Sequence, residues 1–161
     1  IGLMDFGEVI AGVVYEVGKN ETFTAWKGGG AWMNSKPVHV SDVATLADSL
    51  IATGLPYSDF HRLDSYMDSL TYLCRHSQGI RRLGSAATDL AYVACGRFEG
   101  FYEYGLHPWD IAAGMLLVRE AGGKVSDFSG NEKNLRGDEI VASSGYIFSE
   151  FLESVSRFII K

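Results

Sequence analysis

In the stretch GLHPWDIAAGMLLVREAGG (residues 105–123), Asp110 is followed by no polar side chain before Arg119. A carboxylate there has two physical uses. In the first turn of a helix it answers free backbone N–H groups and the positive end of the dipole, a gain of about 0.3–1 kcal/mol. Alternatively it grips a divalent cation. Seven residues earlier Glu103 stands near the end of the strand-like run FEGFYEY. In a layered α/β fold the C-terminal end of a strand and the N-terminus of the next helix meet at one rim, where ligands bind. Glu103 and Asp110 would share that rim. Magnesium sites commonly use one or two carboxylates together with waters and phosphate oxygens, so the pair can begin a metal site that is completed from elsewhere. A second rim element is LGSAATDL, residues 83–90. Gly84 lets the backbone approach a ligand, and Ser85 can cap the helix while the amides of Ser85 and Ala86 face an oxygen-rich partner. Glycine followed by a serine cap is also a common plain helix start.

Other reactive side chains form no such pattern. His39, His61, His76 and His107 show neither HxH nor HExxH spacing, which argues against a histidine metal cluster, and His107 is read as shaping the turn before Pro108. Cys74 and Cys95 lie in apolar, helix-like surroundings and are expected to be buried, reduced thiols. Phe101, Tyr102 and Tyr104 alternate on a strand and read as packing. HRLDSYMDS, of mixed charge, reads as a solvated helix face. Arg81 and Arg82 either approach a substrate phosphate or a partner subunit, or serve the surface.

The elements that must position the rim follow from pattern. EVIAGVVYE (8–16) and ETFTAW (21–26) are β-rich runs separated by VGKN, which has the Gly and Asn of a hairpin turn. KGGGAWMN gives a glycine turn before a short strand, KPVHV, and SDVATLADS predicts a short helix capped by Ser41. Strand and helix then alternate. LIATGL, GIRRLG, FEGFYEYG, KVSDF and EIVASS read as strands, and DFHRLDSYMDSLTYLCRH, SAATDLAYVACG and YIFSEFLESVSRFII read as helices. The helix at 108–121 is apolar nearly all round and belongs between layers. Pro108 suits its first turn, and Gly122 and Gly123 supply its left-handed stop.

Composition limits the partners. The chain has 161 residues, 47% of them apolar, enough for one domain with a real core, and a net charge of −6 from 20 acidic and 14 basic residues. No Lys/Arg run exists, so a nucleic-acid backbone is not an expected partner. No apolar run reaches membrane-spanning length and the start lacks the pattern of a signal peptide, so no membrane partner and a cytoplasmic location are expected. The chain opens without methionine and enters a strand almost at once, which reads as a fragment of a longer parent. No repeat or linker divides it.

HPWDIAAGMLLVREAGGKVSDFSG resembles the C-terminal signature of the inositol monophosphatase family: Trp-Asp, a small-residue pair, then Glu-Ala-Gly-Gly before a strand. The similarity runs outward through GSAATDLAYVACGRFEGFYEYGLHPWD and LIATGLPY, back to GVVYEVGKNETFTAWKGGGAWMNSKPVHVS. It implies an α/β fold, the layered αβαβα sandwich of the inositol monophosphatase and fructose-1,6-bisphosphatase type, truncated at its N-terminus. Residues 1–161 would be a single unit, with 1–40 a meander of the family's N-terminal sheet and 41–161 the C-terminal α/β portion. The implied activity is Mg²⁺-dependent hydrolysis of a phosphate monoester of inositol or a related small polyol, by a homodimer. Relatives acting on fructose 1,6-bisphosphate, a phosphoadenosine nucleotide or histidinol phosphate share the signature, and a non-catalytic interaction module is the other class. Asp110 matches the family's metal-binding aspartate, with Trp109 packed beneath the site. Glu103 matches the carboxylate that accepts hydrogen bonds from substrate hydroxyls, and Gly84, Ser85 and Ala86 match the loop that contacts the ring. The family's Asp-Pro-x-Asp-Gly-Thr stretch, which supplies most metal ligands, and its upstream Glu are absent from these residues. The fragment alone is therefore expected to be nearly inactive.

Overall fold

The computed structural model describes residues 1–56, 58–132 and 138–159. Strands β1 (Gly2–Asp5), β2 (Glu8–Glu16), β3 (Glu21–Trp26), β4 (Ala31–Met33) and β5 (Lys36–Val38) form an antiparallel meander in chain order. The VGKN turn closes with Asn20 in the left-handed region at φ 56°. Two of these strands were not expected. All four residues of β1 are exposed, so no inward–outward alternation marks it, and β4 is three residues long directly after a glycine run.

The second sheet is mixed, in the order β7-β6-β8-β10-β9. Strand β6 (Leu50–Thr53) runs parallel to both β7 (Gly79–Arg81) and β8 (Gly100–Tyr104). Strand β10 (Glu139–Ser143) runs antiparallel to β8 and to β9 (Lys124–Ser126). Helices α2 (Ala86–Ala94) and α3 (Pro108–Glu120) lie between the sheets, while α1 (Leu63–His76) and α4 (Phe148–Ile159) cover the far side of the second. The result is the α/β sandwich, with layers running β-α-β-α. Among the described residues no helix covers the outer face of the first sheet.

Position in these layers explains the helix compositions. Helix α3 is flanked by the first sheet on one side and α2 and the second sheet on the other, so Ile111, Leu117 and Val118 are fully buried on different faces. Each such side chain contributes about 1.5–3 kcal/mol by leaving water. Gly114 allows the close crossing with α2, because a Cβ there would lie 2.5 Å from that of Leu90. Helix α4 has one covered side only, and Phe151, Val155 and Ile159 recur on it at four-residue spacing. On β8, Phe101 faces the α2/α3 layer, while Tyr102 and Tyr104 face α1 and α4. All three are packing residues.

Four expectations are corrected. Residues 41–45 are not helical; a single 3₁₀ turn, Leu46–Asp48, is capped by Thr45 rather than Ser41. Val43 and Thr45 are β-branched, and Leu46 is the one buried apolar anchor in the segment. The thiols are not both buried, since Cys74 is exposed and Cys95 only half-buried at the end of α2. On α1, Leu73 takes the inward place and its neighbour Cys74 is turned outward. HRLDSYMDS is not simply solvated, because Tyr66 is fully buried beneath it. At the end of α3 only Gly122 takes the left-handed conformation, at φ 87°; Gly123 is needed for space, as a Cβ would meet the Ser143 carbonyl at 2.8 Å. Ile160 of the expected last helix and Tyr57 lie outside the described residues.

One side chain ties the first sheet to the middle layer. Both Glu120 oxygens, at the end of α3, accept backbone N–H bonds from the β3–β4 turn, Gly28 to Oε1 and Gly30 to Oε2, each at 2.9 Å. Charge-assisted bonds of this kind are individually strong. Glu120→Ala is expected to lower unfolding stability by about 2 kcal/mol, and urea denaturation of the two proteins checks it.

Candidate functional site

Glu103, next to last in β8, lies on the face turned toward α2 and α3, and α3 begins a few residues later, so chain geometry alone carries Asp110 back to the same rim. A cleft of about 250 Å³ opens there. Glu103, Gly84, Ser85, Ala86 and Asp110 all line it, together with Gly54, Leu55, Arg82, Ala87, Leu106 and Trp109. Every residue singled out at the rim from sequence is thus brought into one concave surface.

The glycine–serine element behaves as its residue types dictate. Gly84 is in the left-handed region, φ 86°, where a side chain would be strained. Ser85 is extended and caps α2, its Oγ accepting weakly from the Thr88 amide at 3.4 Å and from the Thr88 hydroxyl at 3.2 Å. The opening N–H groups of α2 have no partners further back in the helix, so this end of the cleft presents donors.

Asp110 occupies the third position of α3. Its Oδ2 accepts the His107 amide at 2.9 Å, while its own amide donates to the His107 carbonyl at 3.0 Å. One carboxylate oxygen therefore holds the helix start, as the capping reading requires, and the other is left for the cleft. Trp109 differs from expectation. It does not lie beneath the site but is 77% exposed at the mouth, its ring tilted against that of His107 with centroids 4.5 Å apart. The second position of α3 points away from both sheets, and no described segment covers it.

Glu103 is 8% exposed, and burial, with the Asp89 charge next in weight and Asp110 also contributing, pushes its carboxyl up to about 7 against the pull of Arg82. Its side chain lies directly over Gly54, where a Cβ would come within 1.9 Å of Oε1. Asp89 was not foreseen as a member of this group. It is 1% exposed, neither of its oxygens has a hydrogen-bond partner among the described residues, and burial raises it to about 7. The signal was present, a lone acid in the apolar run AATDLAYVA, the same kind of signal that marked Asp110. Arg82, which sequence left between surface and site, lines the cleft, and its charge opposes the upward shifts of both Asp89 and Glu103.

The balance of charge decides what the cleft can hold. Two carboxyl groups, Glu103 and Asp110, line the cleft against the one guanidinium of Arg82, with Asp89 buried nearby, so a phosphate dianion alone is poorly matched, whereas hydroxyl groups find acceptors on Glu103 and donors at the α2 start. A phosphorylated ligand needs a cation beside it. Asp110 fits a hard cation as one oxygen ligand, but among the described residues no group of three or more His, Cys, Asp or Glu side chains could hold a metal ion. The four histidines form no such cluster. No helix among the described residues is long and apolar enough to cross a membrane.

The family model described as "Inositol monophosphatase family" matches residues 1–160. An inositol-1-monophosphatase of Mesorhizobium japonicum is 42% identical over 157 residues, covering 98% of this chain and 59% of the relative. A protein of Pseudomonas aeruginosa named Nus factor SuhB is 42% identical over 151 residues, covering 92% of this chain and 56% of its own length. Among solved structures, the extragenic suppressor protein suhB of Bartonella henselae superposes with a TM-score of 0.91 at 41% identity, covering 97% of this chain and 60% of that one. The chain thus spans somewhat under two thirds of the length of the proteins it matches.

Proposed function

Since the chain belongs to the inositol monophosphatase family, we propose that residues 1–161 supply the alcohol-binding side, and one metal ligand, of a Mg²⁺-dependent phosphatase acting on a phosphate monoester of inositol or a related polyol. The observation that carries this reading is the cleft that gathers Glu103, the 84–86 loop and Asp110. Glu103, low in the cleft, accepts hydrogen bonds from ring hydroxyls. The α2 start donates to ring oxygens, which fixes the alcohol against rotation. Asp110 offers its free oxygen to a divalent cation from a side chain already anchored by the His107 amide. A bound ion of this kind neutralises phosphoryl charge and lowers the pKa of a coordinated water. An acidic residue at 103 suits a polyol better than a second phosphate, which it would repel. Homodimer formation and a cytoplasmic location belong to the same reading.

With one carboxylate ligand, residues 1–161 are expected to be nearly inactive by themselves. The test joins them behind the N-terminal portion of the Mesorhizobium relative that the chain does not match, and measures phosphate release from inositol 1-phosphate with Mg²⁺. The joined protein should turn over, and the short chain should show under about one hundredth of its rate, a barrier difference of about 2.7 kcal/mol or more. Equal turnover by the short chain would refute the shared-site reading. A second reading, a module that binds other proteins, is favoured by the name Nus factor carried by relatives at 42% identity; no turnover by the joined protein would support it.

A further inference from the structure

At the floor of the cleft β6 and β8 end side by side. Thr53 pairs with Tyr102 as the last partners of the parallel ladder. One residue further on, Gly54 and Glu103 stand next to each other on the α2/α3 side. The Glu103 carboxyl lies where a side chain of residue 54 would be: a Cβ on Gly54 would fall 1.9 Å from Oε1, 2.1 Å from Cδ and 2.3 Å from Oε2. Gly54 does not lie in the left-handed region, so its lack of a side chain is not required by the backbone. It is required by the carboxyl above it.

On the opposite side of the same two strand ends lies a buried hydroxyl pair. Tyr66 from α1 and Thr53 are both fully buried, with oxygens 2.6 Å apart. Thr53 Oγ1 is 2.8 Å from the Tyr102 carbonyl and 3.2 Å from the Gly54 carbonyl. Tyr66 Oη is 3.1 Å from each of the same two carbonyls. One hydroxyl proton lies between the two oxygens and the other is donated to the Tyr102 and Gly54 carbonyls within reach of both, so the pair bridges the strand ends beyond their last ladder position. Burial raises the Tyr66 phenol well above its ordinary range, which keeps it a donor.

We propose that Gly54 and the Thr53–Tyr66 hydroxyl pair are positioning residues that set the height of the Glu103 carboxyl in the cleft, and thereby its fit to the hydroxyls of a polyol ligand. The glycine provides the seat, and the hydroxyls fix that seat relative to β8. The second half of the statement rests on the phosphatase reading; the first stands on geometry alone.

The test is carbon-detected NMR of residues 1–161 labelled at glutamate carboxyls, with the Glu103 signal assigned by its loss in Glu103→Gln. In Gly54→Ala the obstructing atoms are the far end of a flexible side chain, so the protein folds and the carboxyl swings out toward water. The Glu103 resonance shifts, and its titration midpoint falls by about one pH unit or more toward the ordinary range. Tyr66→Phe keeps the ring and removes one hydroxyl; it shifts the same resonance by a smaller amount. Ser69→Ala is the control. Its hydroxyl bonds the Tyr66 carbonyl and the Tyr102 phenol but neither strand-end carbonyl, so Glu103 should not respond. An unmoved Glu103 signal in Gly54→Ala overturns the proposal, as does an equal shift in Ser69→Ala and Tyr66→Phe. Should Gly54→Ala fail to fold, the comparison of Tyr66→Phe with Ser69→Ala decides alone. Failure of the phosphatase reading is seen separately, as absent turnover with the Glu103 response intact.

Discussion

Asp110→Asn, in the protein joined to its relative's N-terminal portion, is expected to lower kcat by about 10³-fold, equivalent to about 4 kcal/mol of barrier, with little loss of folding stability. The separation of the two effects follows from the two oxygens. Asn retains an oxygen that can accept the His107 amide, so the first turn of α3 keeps its bond. What the fold loses is the favourable interaction of a negative charge with the helix N-terminus, about 0.3–1 kcal/mol. What the site loses is an anionic ligand, and Mg²⁺ sites rely on one or two carboxylates for their protein ligands. If Asp110 were only a capping residue, the ordering would reverse, with a small stability loss and unchanged turnover. Measuring kcat and the urea midpoint on the same preparations distinguishes the two.

Asp89→Asn should change stability in a strongly pH-dependent way. The folded carboxyl of Asp89 is raised to about 7 from an ordinary 3.8, mainly by burial. Below the ordinary value both folded and unfolded chains hold the proton, and the group costs nothing. As pH rises from there to about 7 the unfolded chain releases its proton while the folded one keeps it, so stability falls, by about 1.4 kcal/mol per pH unit, and levels off above 7. Between pH 5 and pH 8 wild type should therefore lose about 2–3 kcal/mol that Asp89→Asn retains. The buried amide meets the same lack of hydrogen-bond partners among the described residues as the carboxyl, so the absolute stability of the variant is less informative than this difference. Glu103, raised for the same reason and partly by Asp89 itself, adds to the wild-type slope and would have a lower midpoint in the variant. Chemical denaturation of residues 1–161 at the two pH values checks it; parallel losses in both proteins would contradict it.

These carboxyls also illustrate how far a sequence can be read. Asp110 and Glu103 were legible because each interrupts an apolar pattern at the boundary between strand and helix, where α/β topology places ligands. Asp89 interrupts an apolar run in the same way, but in the body of a helix start, where a polar residue is ordinary; only its complete burial distinguishes it. Gly54 was illegible as a site residue for a different reason. Its role exists only relative to Glu103, and the register joining them is a tertiary fact that no local pattern encodes. The α/β class was legible from the alternation of strands and helices, and the interior place of α3 from its being apolar on all sides, whereas the layered sandwich came from the resemblance and the described layers run β-α-β-α. The helix expected at 41–49 failed because a serine cap and a few apolar residues are weak evidence without a covered face, and only Leu46 finds one. Trp109 was placed beneath the site by resemblance, whereas its position on α3 turns it to the mouth.

The claim that most depends on geometry is that a divalent cation held by Asp110 shares a cleft with Glu103 and the 84–86 loop. It is tested most directly with Mn²⁺ in place of Mg²⁺, by mapping paramagnetic broadening of amide signals in the joined protein with inositol 1-phosphate present. The account predicts broadening centred on Asp110 and extending to Glu103, Gly84, Ser85 and Ala86, and its loss in Asp110→Asn. Broadening centred elsewhere, or unchanged by that substitution, would contradict it.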